Sequence, residues 1–113
     1  MAERRSNFRL VSKLEVQERD PARARVPLYV SGNISAGGMF LITQDPYPAG
    51  TTFRISFGLP QDGKTVEATG RVVWSRRQKE NPERQPGMGI EFLEIEEQDR
   101  QRIREFVYSN TEE

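Results

Sequence analysis

The chain has no cysteine and no histidine. That excludes disulfides, thiolate nucleophiles, imidazole general bases and the commonest transition-metal ligands. A catalytic reading would then need paired carboxylates or a Ser-Lys arrangement. The Asp and Glu residues fall mainly in turns, on outer strand faces and in the C-terminal stretch, where solvated charge is their ordinary role. No catalytic residue and no metal site are therefore expected. Long apolar runs are also missing, and the charged N-terminus lacks the apolar core of a signal peptide, so no membrane insertion is expected. With no thiol to oxidise, a reducing cytoplasm is the expected location. Net charge is absent too: 17 Lys and Arg balance 17 Asp and Glu. Bulk attraction to DNA, RNA or an anionic membrane is thus not expected to supply affinity.

What is present suits one domain, since 113 residues can bury roughly two thirds of the unfolded chain's surface. Charge is distributed unevenly. Arg4, Arg5, Arg9, Lys13, Arg19, Arg23 and Arg25 outnumber the acidic residues of the N-terminal end, whereas Glu and Asp dominate from Glu91 onward. An anionic small ligand is expected at the N-terminal end. Residues 1–9 are too polar to be buried and read as a flexible arm carrying arginines. Three guanidiniums on such a segment can clamp phosphates, bond the O6/N7 edge of guanine or stack on a base.

Alternation then marks strands. Leu10 to Gln17 places Leu10, Ser12, Leu14 and Val16 on one face, and Glu18 to Ala22, with Asp20-Pro21, turns the chain after it. Arg23 to Val30 puts Val26, Leu28 and Val30 at period two. Ser31 to Phe40 reads as a specialised loop or, more plainly, as a structural turn between two strands: Asn33 and Ser35 offer short polar side chains, and Gly37 and Gly38 permit positive φ and let the backbone approach a partner closely. A strand resumes over Gly38 to Thr43 and is broken by Asp45-Pro46-Tyr47-Pro48-Ala49-Gly50. Thr52 to Leu59 is a strand with Phe53, Ile55, Phe57 and Leu59 on the core face. Asp62-Gly63 signals a hairpin, and Lys64 to Ser75 follows with Val66, Ala68, Gly70, Val72 and Trp74 sharing one face. Arg76 to Pro86 is a polar loop. Gly87 to Leu93 turns Met88, Ile90 and Phe92 one way, while its glycines leave room on the other. From Glu96 to about residue 108 the spacing of Ile103, Phe106 and Val107 predicts a helix, with Glu96, Glu97 and Asp99 favouring its positive end and Glu96 placed to pair with Arg100. Strands followed by one helix, with hairpin-length connections, predict an all-β domain: an antiparallel sheet closed or nearly closed into a barrel, the helix capping an opening or packing outside. No nucleotide-binding loop of the Walker or dinucleotide type is present, because neither glycine pair has the strand-loop-helix context.

Two motifs stand in a telling order. Arg5-Ser6-Asn7-Phe8-Arg9 is an Arg-x-x-x-Arg run ahead of the first strand, and Asn33-Ile34-Ser35-Ala36-Gly37-Gly38 matches Asp/Asn-x-Ser-x-x-Gly. With Gly70-Arg71-Val72-Val73-Trp74, Gly87-Met88-Gly89-Ile90-Glu91-Phe92 and a terminal helix, the chain resembles the PilZ domain family over nearly its whole length. The resemblance implies a six-stranded antiparallel β-barrel over residues 10–113, behind the arm of residues 1–9, that binds cyclic di-GMP. It further implies that Arg5 and Arg9 hold phosphates and guanine edges, that Asn33 and Ser35 bond a guanine, and that Gly38 lets the backbone come close. Arg4 completes a run resembling the variant that takes a stacked ligand dimer, and Trp74 is a further contact. Asn33 stands where many members carry Asp, which removes a carboxylate able to accept two guanine hydrogen bonds.

The expected function is a cyclic di-GMP receptor in which the ligand orders the arm against the barrel and alters binding to an unidentified protein partner, in motility or surface-behaviour control. No cofactor is expected. The alternative is a PilZ-fold adaptor, motility or type IV pilus related, that does not bind the nucleotide. The barrel shape alone would also suit an oligonucleotide-binding barrel, which the zero net charge disfavours.

Overall fold

The computed structural model describes residues 9–19, 27–80 and 82–111. Six strands form in chain order: β1 (Glu15–Arg19), β2 (Leu28–Ser35), β3 (Gly38–Ile42), β4 (Thr52–Gly58), β5 (Thr65–Arg76) and β6 (Gly87–Ile95), followed by α1 (Glu97–Thr111). Every neighbouring pair is antiparallel, and the order β1-β2-β3-β6-β5-β4 closes on itself because β1 pairs with both β2 and β4. Closure leaves no unpaired sheet edge among the described strands. The expected six-stranded barrel with a C-terminal helix is what forms.

Period two fills the interior. Val16, Ile55, Phe57, Val66, Ala68, Val72, Met88, Ile90 and Phe92 all turn inward, with Met39 and Leu41 from β3. Ile103, Phe106 and Val107 bring the apolar stripe of α1 onto the same core. The helix is tied to two hairpin turns: Arg100 Nη1 donates to the Ala36 carbonyl at 2.9 Å, and Arg102 grips Asp62. It therefore covers the barrel end where the β2–β3 and β4–β5 turns lie. Arg100 lies 3.7 Å from Glu97 rather than pairing with Glu96, whose carbonyl instead accepts the Arg100 N–H.

Four expectations are corrected. The first strand starts at Glu15, not Leu10, and runs through Glu18, which is buried rather than in a turn. Tyr29 and Ser31 face inward on β2, while Leu28 and Val30 are 63% and 42% exposed. Tyr29 turns in because its hydroxyl finds an acceptor in Glu18 at 3.0 Å, which Tyr47 shares at 2.7 Å. The stretch from Ser31 to Phe40 is not a loop but most of a tight hairpin in which Ala36 and Gly37 alone form the turn. Finally, neither Gly37 nor Gly38 uses positive φ; among the described residues only Gly50 and Gly63 do.

Candidate functional site

Two β-bulges set the site. On β2 the register slips between Ser31 and Asn33, leaving Gly32 as the extra residue. Inward alternation through Tyr29 and Ser31 would have carried Asn33 into the core; the slip sends Ile34 in and leaves Asn33 half-exposed on the outside. On β5 the register slips between Val72 and Trp74. The phase set by Val66, Ala68 and Val72 therefore ends at Val73, and Trp74 emerges on the outer face, 43% exposed. This corrects the expectation that Trp74 shares the face of Val72. Both bulges deliver a side chain to the same side of the barrel.

Between them lie Phe40 and Gly89. Gly89 is the register partner of Phe40 on one side and of Trp74 on the other. A Cβ at Gly89 would strike the Trp74 indole, and one at Gly87 would strike the Phe40 ring. These missing side chains are the room that the glycines of β6 were expected to leave. They let the two rings stack over the strand at 5.4 Å between centroids and 15° between planes. The Arg76 guanidinium sits 5.0 Å from the Trp74 ring and 5.5 Å from that of Phe40, a cation–π arrangement with both.

Residues 9–14 lie against this face. Leu10 exchanges backbone hydrogen bonds with Ile34 at 2.8 and 2.9 Å. The Leu14 N–H donates to Ser31 Oγ at 2.9 Å, and that hydroxyl donates to the Ser12 carbonyl at 2.5 Å. So fixed, Arg9 donates from Nη1 to Asn33 Oδ1 at 2.6 Å. Arg9, Asn33, Phe40, Trp74, Gly89 and Glu91 border a cleft of about 230 Å³. An adjoining cleft of about 330 Å³ shares Asn33, Phe40 and Trp74 and adds Arg76 and Arg84. Glu91, the one carboxylate among the described residues of the first cleft, is paired with Arg71, whose Nε lies 2.8 Å from Glu91 Oε2. It therefore offers little repulsion to an anion.

Of the residues expected at a ligand site, Arg9, Asn33 and Trp74 come together. Arg4 and Arg5 lie outside the described residues. Ser35 is buried; its hydroxyl accepts the Gly37 N–H at 3.3 Å and faces the Gly38 carbonyl at 3.4 Å, so it shapes the turn. Gly38 does allow a close approach, but of the β6 backbone: a Cβ there would meet the Ile90 carbonyl oxygen. The glycine whose outer side is open is Gly37, with nothing within 4 Å of a Cβ. Phe40, Arg76 and Arg84 were not anticipated. Trp74 and Arg76 stand two residues apart on one strand, so an aromatic-arginine pair on a common face was legible in that spacing.

The PilZ domain family model matches residues 3–109. No curated protein matches the chain. Among solved structures, the Bacillus subtilis inhibitor of motility MotI/DgrA superposes with a TM-score of 0.77 at 23% identity, covering 90% of this chain and 48% of that one. This chain thus spans about half of that protein's length. The PilZ domain of YcgR from Escherichia coli, a structure with c-di-GMP, gives a TM-score of 0.65 at 16% identity, covering 90% and 87%. At these identities the likeness is one of fold. No described helix is long and apolar enough to cross a membrane.

Proposed function

The chain belongs to the PilZ domain family, and from that premise we propose that it is a cyclic di-GMP receptor whose ligand lies on the outer face of β2, β3, β6 and β5. Membership makes it a ligand-binding or adaptor domain, not an enzyme. The observation that carries the reading is the meeting of Arg9 with Asn33, at 2.6 Å, beside the exposed ring of Trp74. One residue from each half of the two-part motif is thereby placed at one cleft. A guanidinium supplies paired donors for a phosphate or a guanine edge, a carboxamide both donates to and accepts from a base edge, and an indole offers a stacking face.

Ligand binding exchanges the Arg9–Asn33 hydrogen bond for contacts of both residues with the nucleotide and draws Arg4 and Arg5 to its phosphates. The arm of residues 1–9 is then held over the barrel and changes the surface offered to a protein partner. Ordering costs about 1 to 2 kcal/mol per residue of backbone, so several charge-assisted contacts are needed to offset it. The fold shared with an inhibitor of motility supports a motility-type role.

Isothermal calorimetry with cyclic di-GMP tests this. A dissociation constant of about 10 μM or tighter, roughly −7 kcal/mol, is expected, and Arg9→Ala should weaken it at least about tenfold, the scale of one lost bidentate contact. No heat of binding, or an unchanged Arg9→Ala, would overturn it. A nucleotide-independent adaptor is favoured by one observation only, the exposure of Leu28 and Val30 on the outer face of β2. That reading expects partner binding to be indifferent to Arg9→Ala.

A further inference from the structure

The second cleft has a composition that the two-part motif does not account for. None of the described residues lining it is acidic, and they include two guanidiniums, Arg76 and Arg84, beside the Phe40–Trp74 stack. Arg76 is held in place twice: Nε donates to the Gln85 carbonyl at 2.9 Å, and the guanidinium lies against both rings. A cation so fixed loses little rotamer freedom on binding an anion. Gly32 and Gly87 keep the Phe40 ring seated, since a Cβ at either would meet it. The stack is thus a rigid divider with a basic group at each side, Arg9 towards the first cleft and Arg76 with Arg84 towards the second.

Each cleft, at about 230 and 330 Å³, stands at or below the small end of ligand pockets, about 300 to 1,000 Å³. A cyclic dinucleotide repeats one purine and one phosphate twice. We propose that the second cleft is a nucleotide half-site, in which Arg76 and Arg84 hold a phosphate and the exposed ring of Trp74, backed by the buried Phe40, takes the flat of a purine. The two clefts share the ligand's two halves. This rests on the reading of the chain as a cyclic di-GMP receptor, and it assigns the β5–β6 loop a direct part in binding.

Trp74 is the chain's one tryptophan, so its fluorescence reports on the divider itself. Wild type, Arg84→Glu and Lys79→Glu are titrated with cyclic di-GMP and with guanosine 5′-monophosphate. Arg84 and Lys79 are both exposed on the same loop, and only Arg84 lines the cleft. Arg84→Glu should weaken cyclic di-GMP at least about tenfold through loss of a charge-assisted contact, whereas Lys79→Glu, the same change of charge, should weaken it less than about threefold. Equal effects of the two variants, or none from Arg84→Glu, overturn the half-site. If wild type binds no cyclic di-GMP, the receptor reading falls by itself. The half-site is then decided by the mononucleotide: quenching that Arg84→Glu removes upholds it, and absence of such quenching overturns it.

Discussion

Trp74 occupies the space that a side chain on Gly89 would need, with its indole Nε1 and Cε2 the nearest atoms. The stack on Phe40 therefore exists because β6 has no Cβ at that position. Gly89→Ala should push the indole off the Phe40 ring and remove about 0.5 to 1.5 kcal/mol of aromatic pairing. A shift of Trp74 emission, with cyclic di-GMP binding weakened by about 1 to 3 kcal/mol for a lost stacking surface, is the expected result. Unchanged emission would show that the ring is not seated on the strand.

Gly38→Ala should act on the fold rather than on the ligand. A methyl there meets the Ile90 carbonyl across the β3–β6 ladder, and overpacking of this kind costs about 1 to 3 kcal/mol. The urea midpoint should drop accordingly with cyclic di-GMP absent, so any loss of binding follows from the displaced hairpin.

Ser31→Ala should release the strap that carries Arg9. The Ser31 hydroxyl joins the Leu14 N–H to the Ser12 carbonyl, and leaving such buried groups unpaired costs about 1 to 3 kcal/mol. Hydrogen exchange over residues 10–14 should quicken while β4 and β5 keep their protection. Slow exchange in the strap would show that the Leu10–Ile34 bridge suffices.

At the barrel end away from α1, Glu18 accepts from two phenols. Glu18→Leu leaves both hydroxyls without that acceptor and should destabilise by about 1 to 3 kcal/mol for each group left unpaired. Burial above all, then the neighbouring Tyr47 hydroxyl and the Glu18 charge, holds the Tyr29 hydroxyl well above its ordinary value of 10.0. The folded protein keeps this proton while the unfolded chain loses it near pH 10.0, so stability is whole below that pH and falls above it. Melting temperature should decline as the pH rises above about 10 and go on declining, with a shallower decline in Tyr29→Phe.

The opposite sign applies to Asp62. Two hydrogen bonds from Arg102, at 2.6 and 2.9 Å, and the Lys64 N–H lower its carboxyl from 3.8 to about 2. The stabilisation is therefore present above pH 3.8 and lost as the pH falls towards about 2. Solvent keeps it modest. Acid titration of stability should lose part of its slope across that window in Asp62→Asn, and α1 should fray first, because Arg102 fastens the helix to the β4–β5 turn.

Much of the architecture was legible because period two survives wherever a strand has one apolar face. Phe53, Ile55, Phe57 and Leu59 could hardly face water together, nor could Met88, Ile90 and Phe92, and the change to helical spacing at Ile103, Phe106 and Val107 fixed the type of the last element. The two motifs, read against a known family, led to the expectation that Arg9 and Asn33 meet, and their side chains are hydrogen-bonded at 2.6 Å. β2 was different, because Leu28 and Val30 alternate with Tyr29 and Ser31, and both sets can be argued inward. What settled it was a partner distant in sequence, the carboxylate of Glu18.

The site's geometry was decided by tertiary structure alone. A one-residue bulge reverses every side chain beyond it, and nothing local to Gly32 or Val73 announces one; the register against β3 and β6 does. Those two slips turn Asn33 and Trp74 outward, and Gly89 then lets Phe40 and Trp74 close over the strand between them. The sequence by itself determined a barrel, a helix and a pair of motif residues able to meet. Only strand pairing across long separations determined which face they meet on, because hydrogen-bond register is a property of two chain segments and is written in neither one alone.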